Sequence, residues 1–112
     1  MTSIVVLTAT GRRIEGIDGA VAVEALSAAS ALASVMSRYD AAVLVSDGFD
    51  AGQAVSLAAA IADVARPVIE VRSARWDGET PSPISAACRG VISGFGDAGV
   101  AAAARLLQSV AP

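Results

Sequence analysis

Glu70 and Arg72 are the residues of this chain best placed to do chemistry. They stand two apart in the apolar run Pro67-Val-Ile-Glu-Val-Arg. On a strand, residues i and i+2 share a face. The two side chains therefore either neutralise each other as an ion pair or together hold a carboxylated ligand, and pairing is the simpler reading. A second acidic set, Asp47 and Asp50, flanks Gly48 at the end of another apolar run. Two carboxylates in such a place suit an acid pair or a divalent cation. They suit a turn residue and a helix cap better, because Gln53 follows Asp50 at capping-box spacing. Ser46 offers a hydroxyl at the end of the same run. Arg12 and Arg13 follow the first apolar run, where an anion or plain solvent would satisfy them.

The absence of histidine narrows the chemistry further. It removes the commonest general base and the commonest metal ligand. Ser-His and Cys-His nucleophiles are excluded, as are zinc sites that use His. Carboxylates, Tyr39 and Cys88 remain as acid-base candidates. Cys88 lies in an apolar stretch and reads as a small core residue, not a reactive thiol, which would want exposure and a positive neighbour. One cysteine allows no internal disulfide. No cofactor or metal is expected.

These residues must be positioned by one domain spanning 1–112, long enough for a single core. Hydrophobic residues make up 54% and aromatics only 4%, so that core is built from small side chains. A net charge of -3 without a basic cluster argues against nucleic-acid binding. No uninterrupted apolar run reaches the roughly 18 residues of a membrane span. Met1-Thr-Ser lacks a basic leader segment, so a cytoplasmic protein is expected.

Four continuous apolar runs read as strands buried on both faces: Ser3 to Thr8, Ala41 to Ser46, Val68 to Arg72 and Cys88 to Ser93. A helix follows Asp50 to about Ala65, with Val55, Leu57, Ile61 and Val64 towards the sheet, and Pro67 ends it. Gly94, Gly96 and Gly99 bracket Asp97, which is placed to cap a last helix to about Val110. Ser73 to Ser85 reads as a long loop whose Trp76 is a lid residue or a subunit contact. Ala20 to Arg38 is Ala-rich and reads as one helix capped by Asp18. The competing reading is a strand over Val21 to Leu26 and a helix over Ser27 to Tyr39. Alternating strands and helices imply an α/β domain with a parallel sheet of four strands, or five on the competing reading. In such sheets ligands bind at the carboxyl ends of the strands.

Pro-Val-Ile-Glu-Val, a loop with Ser82-Pro-Ile-Ser85, and Gly90-Val-Ile-Ser-Gly-Phe-Gly-Asp-Ala-Gly99 together resemble the type II 3-dehydroquinate dehydratases. Gly48, Val55, Leu57, Ala60 and Ile61 match the same family. Val23-Glu-Ala-Leu26 is similar to its first helix, and Gly11 to Gly16 to its lid. The resemblance implies a flavodoxin-like three-layer sandwich, short of the family's second strand and second helix, and a homo-oligomer, trimer or dodecamer. It also places Arg72 where the family has its general-acid His, Ser46 at the enolate-stabilising Asn, Asp50 at a turn Tyr and Gly52 at a substrate-contacting His. The lid Tyr that serves as base has no counterpart. The expectation is a non-catalytic relative acting as a structural or regulatory homo-oligomer, with no residue named as catalytic. The alternative is a lyase with altered substrate, holding a small anionic ligand with Arg12, Arg13, Ser46, Asp47, Asp50, Glu70 and Arg72. A weaker resemblance is to receiver domains, from Asp47 after the strand Ala41 to Ser46. Against it, the first strand lacks their acidic pair, and the chain has no Lys.

Overall fold

The computed structural model describes residues 3–11, 22–64, 66–72 and 82–110. Five strands form one all-parallel sheet: β1 (Ile4–Ala9), β2 (Ala22–Leu26), β3 (Ala41–Val45), β4 (Val68–Arg72) and β5 (Gly90–Ser93). Their order is β2-β1-β3-β4-β5. The three central strands, β1, β3 and β4, are buried at every residue but the last of β1 and of β4. That is what a strand covered on both faces requires.

Helices lie on both sides, giving a flavodoxin-like three-layer sandwich. On one side α1 (Leu32–Met36), α2 (Ala51–Val64) and α3 (Pro83–Ala87) cover the face that carries Val5, Leu7, Leu44 and Val68. On the other, α4 (Ala98–Val110) buries Val100, Ala103, Ala104 and Leu107 against Ile4, Val6, Val43 and Val71. The spacing 100, 103, 104, 107 is a single helical stripe. Gly99 lets this helix lie close: a Cβ there would stand 3.1 Å from Ile92 and 3.2 Å from Val71.

Several expectations are corrected. Residues 22–38 are not one helix. Ala22, Glu24 and Leu26 point towards the core while Val23 and Ala25 are exposed, the two-residue period of a strand. A 3-10 turn, Ala29–Ala31, and the short α1 follow. The strand of the competing reading therefore holds, and the sheet has five strands. The similarity of Val23–Leu26 to a first helix fails with it, as does the loss of a second strand. Residues 20 and 21, and Asp18, lie outside the described residues. Val55 does not face the sheet; it is 59% exposed, whereas Leu57 and Ile61 are buried. The stretch Ser73 to Ser85 is not all loop, because Ser82 caps α3 with Pro83 in its first turn. Cys88 is the C-cap of α3, not a strand residue, and β5 starts at Gly90.

Candidate functional site

The polar groups of the sheet gather at the carboxyl end of β4. Glu70 is fully buried and Arg72 keeps 25% of its side chain exposed. Arg72 Nε donates to Glu70 Oε2 at 2.9 Å. Two serines of the α3 entrance complete the cluster. Arg72 Nη2 donates to Ser82 Oγ, and to Ser85 Oγ at 3.3 Å. Ser85 Oγ donates to Glu70 Oε1. A serine has a single hydroxyl proton. With that of Ser85 directed at Glu70, the Ser82 proton fills the 2.9 Å gap between the two hydroxyls. Ser82 Oγ also accepts from the Ser85 amide at 3.3 Å, the N-cap bond of α3. Among the described residues no buried side-chain nitrogen or oxygen lacks a partner. The buried carboxylate is thus charge-paired and hydrogen-bonded, the two conditions that make its burial tolerable.

Register places two further hydroxyls beside Arg72. Val45 pairs with Val71 and Arg72 with Ser93, so Ser46 and Ser93 flank Arg72 on the adjacent strands. Ser46 closes the end of β3 onto β4: its amide donates to the Val71 carbonyl at 3.1 Å, with its hydroxyl 3.5 Å from the same oxygen.

Asp50 is engaged elsewhere. Asp50 and Gln53 form the reciprocal capping box of α2, with Asp50 N to Gln53 Oε1 at 2.9 Å and Gln53 N to Asp50 Oδ1 at 2.7 Å. Asp47 lies half-buried in the turn that Gly48 makes possible at φ 90°. Any side chain at Gly48 would also meet Ala9 Cβ at 3.2 Å. Among the described residues no group of three acidic or cysteine side chains is close enough to hold a metal ion. Arg12, Arg13 and Trp76 lie outside the described residues.

The other acid-base candidates hold their protons. Burial pushes the Cys88 thiol up to about 12, with the Glu70 charge adding to the effect. Tyr39 donates to Glu24 Oε2 at 2.8 Å, and that bond raises its phenol. Arg38 Nη2 meets the other Glu24 oxygen at 2.8 Å. The Arg38 bond and then the Tyr39 bond hold the Glu24 carboxyl below the usual carboxylate range.

Sequence reasoning reached Ser46, Glu70 and Arg72 but missed Ser82, Ser85 and Ser93. Ser82 carried a local signal, a serine followed by proline, which is the cap-and-first-turn signature of a helix start. Ser85 stood out only as part of the Ser82-Pro-Ile-Ser85 motif, which did not announce its contact with Glu70, 15 residues away.

The fold and site define a flavodoxin-like parallel α/β domain with a polar cluster at its strand ends. The sequence matches no protein-family model and no curated protein. Among the described residues no helix is long and apolar enough to cross a membrane.

Proposed function

We propose that this domain is a non-catalytic relative of the type II 3-dehydroquinate dehydratases that acts as a structural or regulatory homo-oligomer. One observation carries the reading. Arg72, at the position resembling the family's general acid, is bonded to Glu70, Ser82 and Ser85. An arginine stays protonated at any ordinary pH and cannot deliver a proton. Glu70 is buried beneath it and accepts from Ser85, so it is shielded from any substrate. Dehydration needs a base, an enolate stabiliser and an acid. Ser46 alone would supply about 2–4 kcal/mol as a single oxyanion donor, against the roughly 8 kcal/mol or more of a working enzyme. The test is incubation with 3-dehydroquinate while the absorbance of the conjugated enone product is followed. No turnover above buffer is expected. Turnover on the order of 1 per second or faster would overturn the reading.

A receiver-type regulatory domain is the second reading. The order β2-β1-β3-β4-β5 with Asp47 two residues beyond the end of β3 favours it. Incubation with acetyl phosphate and Mg2+, followed by intact mass, separates the two. A phosphoryl adduct on Asp47 supports the receiver reading, and an unmodified chain supports the first.

A further inference from the structure

We propose that α3 is a hinged flap, which undocks as a unit while the rest of the domain stays folded and so uncovers the buried Glu70-Arg72 pair. The inference stands apart from the homo-oligomer reading. It concerns the shield over the polar cluster and makes that shield conditional.

Of the four α-helices, α3 buries the fewest side chains. It has five residues, too few to persist without tertiary contacts. α1 is equally short but buries Leu32, Val35 and Met36, whereas α3 buries Ile84 alone. Ala87 and Cys88 add only partly buried surface to the same core cluster, and Pro83 and Ala86 are exposed.

The seat beneath α3 is partly ionic. Val68, Glu70 and Arg72 share one face of β4 by alternation, and Val68 belongs to the core cluster that Ile84 joins. Glu70 therefore lies on the α3 side of the sheet, between Leu44 and Val91 in register. Ser85 donates to it from α3, and Ser82 and Ser85 both accept from Arg72. An apolar seat gains nothing when its helix leaves. A carboxylate and a guanidinium regain hydration, because taking charges out of water is costly in the first place. The two hydroxyls exchange their partners for water. What remains uncompensated is chiefly the exposure of Ile84.

The pivot lies at the carboxyl end of the segment. The Arg89 amide donates to the Val68 carbonyl at 2.8 Å, which pins the chain to β4 one residue before β5 begins. Upstream of that bond, the Ala86 and Cys88 amides bond within the segment, to the Ser82 and Ile84 carbonyls at 3.1 and 3.0 Å. α3 can thus swing about residue 89 with the β4-β5 pairing intact.

Native-state amide hydrogen exchange, read residue by residue by nuclear magnetic resonance at urea concentrations below the unfolding transition, tests this. The Ala86 and Cys88 amides report α3. The amides of β3, which is paired on both sides, report global unfolding. Ala86 and Cys88 should exchange through one common opening, about tenfold or more as populated as the unfolded chain. Its urea slope should lie above zero, because Ile84 is exposed, and below that of β3. Ser85→Ala, which removes the hydroxyl from Glu70 and Arg72, should speed α3 exchange about tenfold or more. Ile4→Val, in the core cluster of the opposite face, should speed β3 exchange about fivefold and leave α3 exchange unchanged. Exchange of α3 with the β3 slope, accelerated by Ile4→Val, would mean that the segment opens only with the whole domain and would overturn the flap. Exchange without urea dependence would mean fraying with Ile84 still seated, and an ineffective Ser85→Ala would mean that the polar seat does not hold the helix. Either result overturns the proposal as well.

Discussion

Two glutamate-arginine pairs in this molecule have almost the same length and opposite surroundings. Glu70 and Arg72 meet at 2.9 Å with the carboxylate fully buried. Glu24 and Arg38 meet at 2.8 Å with side chains 29% and 57% exposed. Distance alone would rank them equal. Dielectric does not: the attraction between two charges grows as water is excluded, and so does the cost of leaving either one alone. The buried pair therefore organises its neighbourhood and recruits two serines from a separate helix. The exposed pair, joined by the Tyr39 hydroxyl, dresses an edge strand that water would otherwise solvate.

The largest expected effect comes from splitting the buried pair. Arg72→Ala strands the Glu70 carboxylate and loosens the Ser82 cap, and should cost about 3 kcal/mol in urea unfolding. At about 4 °C per kcal/mol the melting temperature should fall by roughly 12 °C. Next in size is Asp50→Ala, which removes one arm of the α2 capping box. It should cost about 1 kcal/mol, read as a melting temperature lower by about 4 °C.

A smaller effect concerns Cys88. Its folded-state ionisation lies near 12, above the ordinary value of 9.0. The unfolded chain therefore loses the thiol proton first. The contribution to stability is complete below pH 9 and declines as pH rises from there towards 12. Alkylation by iodoacetamide at pH 8 should correspondingly be much slower in the folded protein than in urea.

The smallest effect is at the exposed pair. Arg38→Ala should leave the melting temperature nearly unchanged, and whatever change exists should vanish in high salt. A nuclear magnetic resonance titration should find the Glu24 carboxyl ionising at lower pH in wild type than in the variant. Because the folded carboxyl ionises early, the linked stability is present at neutral pH and lost as the solution is acidified through its folded value. A melting loss at Arg38 as large as that at Arg72 would break the comparison between the two pairs.

The parts of the fold that the sequence announced are those where hydrophobicity speaks without ambiguity. β1, β3 and β4 are β-branched or aliphatic runs, and α2 begins at a reciprocal cap visible as Asp50 and Gln53. β2 was hidden because Ala fits both periods. In Ala22-Val-Glu-Ala-Leu26 the alternation is plain only once the exposed side of Val23 is known. α3 was hidden inside a stretch that its two prolines made read as loop, although Pro83 stands in the first turn of the helix. At the site, the Glu70-Arg72 pairing followed from strand geometry alone. The serines that complete it depend on how α3 docks, and no local pattern encodes that.

The account turns on Glu70, Arg72, Ser82 and Ser85 being a structural unit and not a set of reagents. A double-mutant cycle of Arg72→Ala and Glu70→Gln, followed by urea unfolding, measures this directly. If the unit is structural, Arg72→Ala alone loses about 3 kcal/mol, and adding Glu70→Gln restores much of it by removing the stranded charge. Full stability in Arg72→Ala, with no coupling to Glu70→Gln, would contradict it.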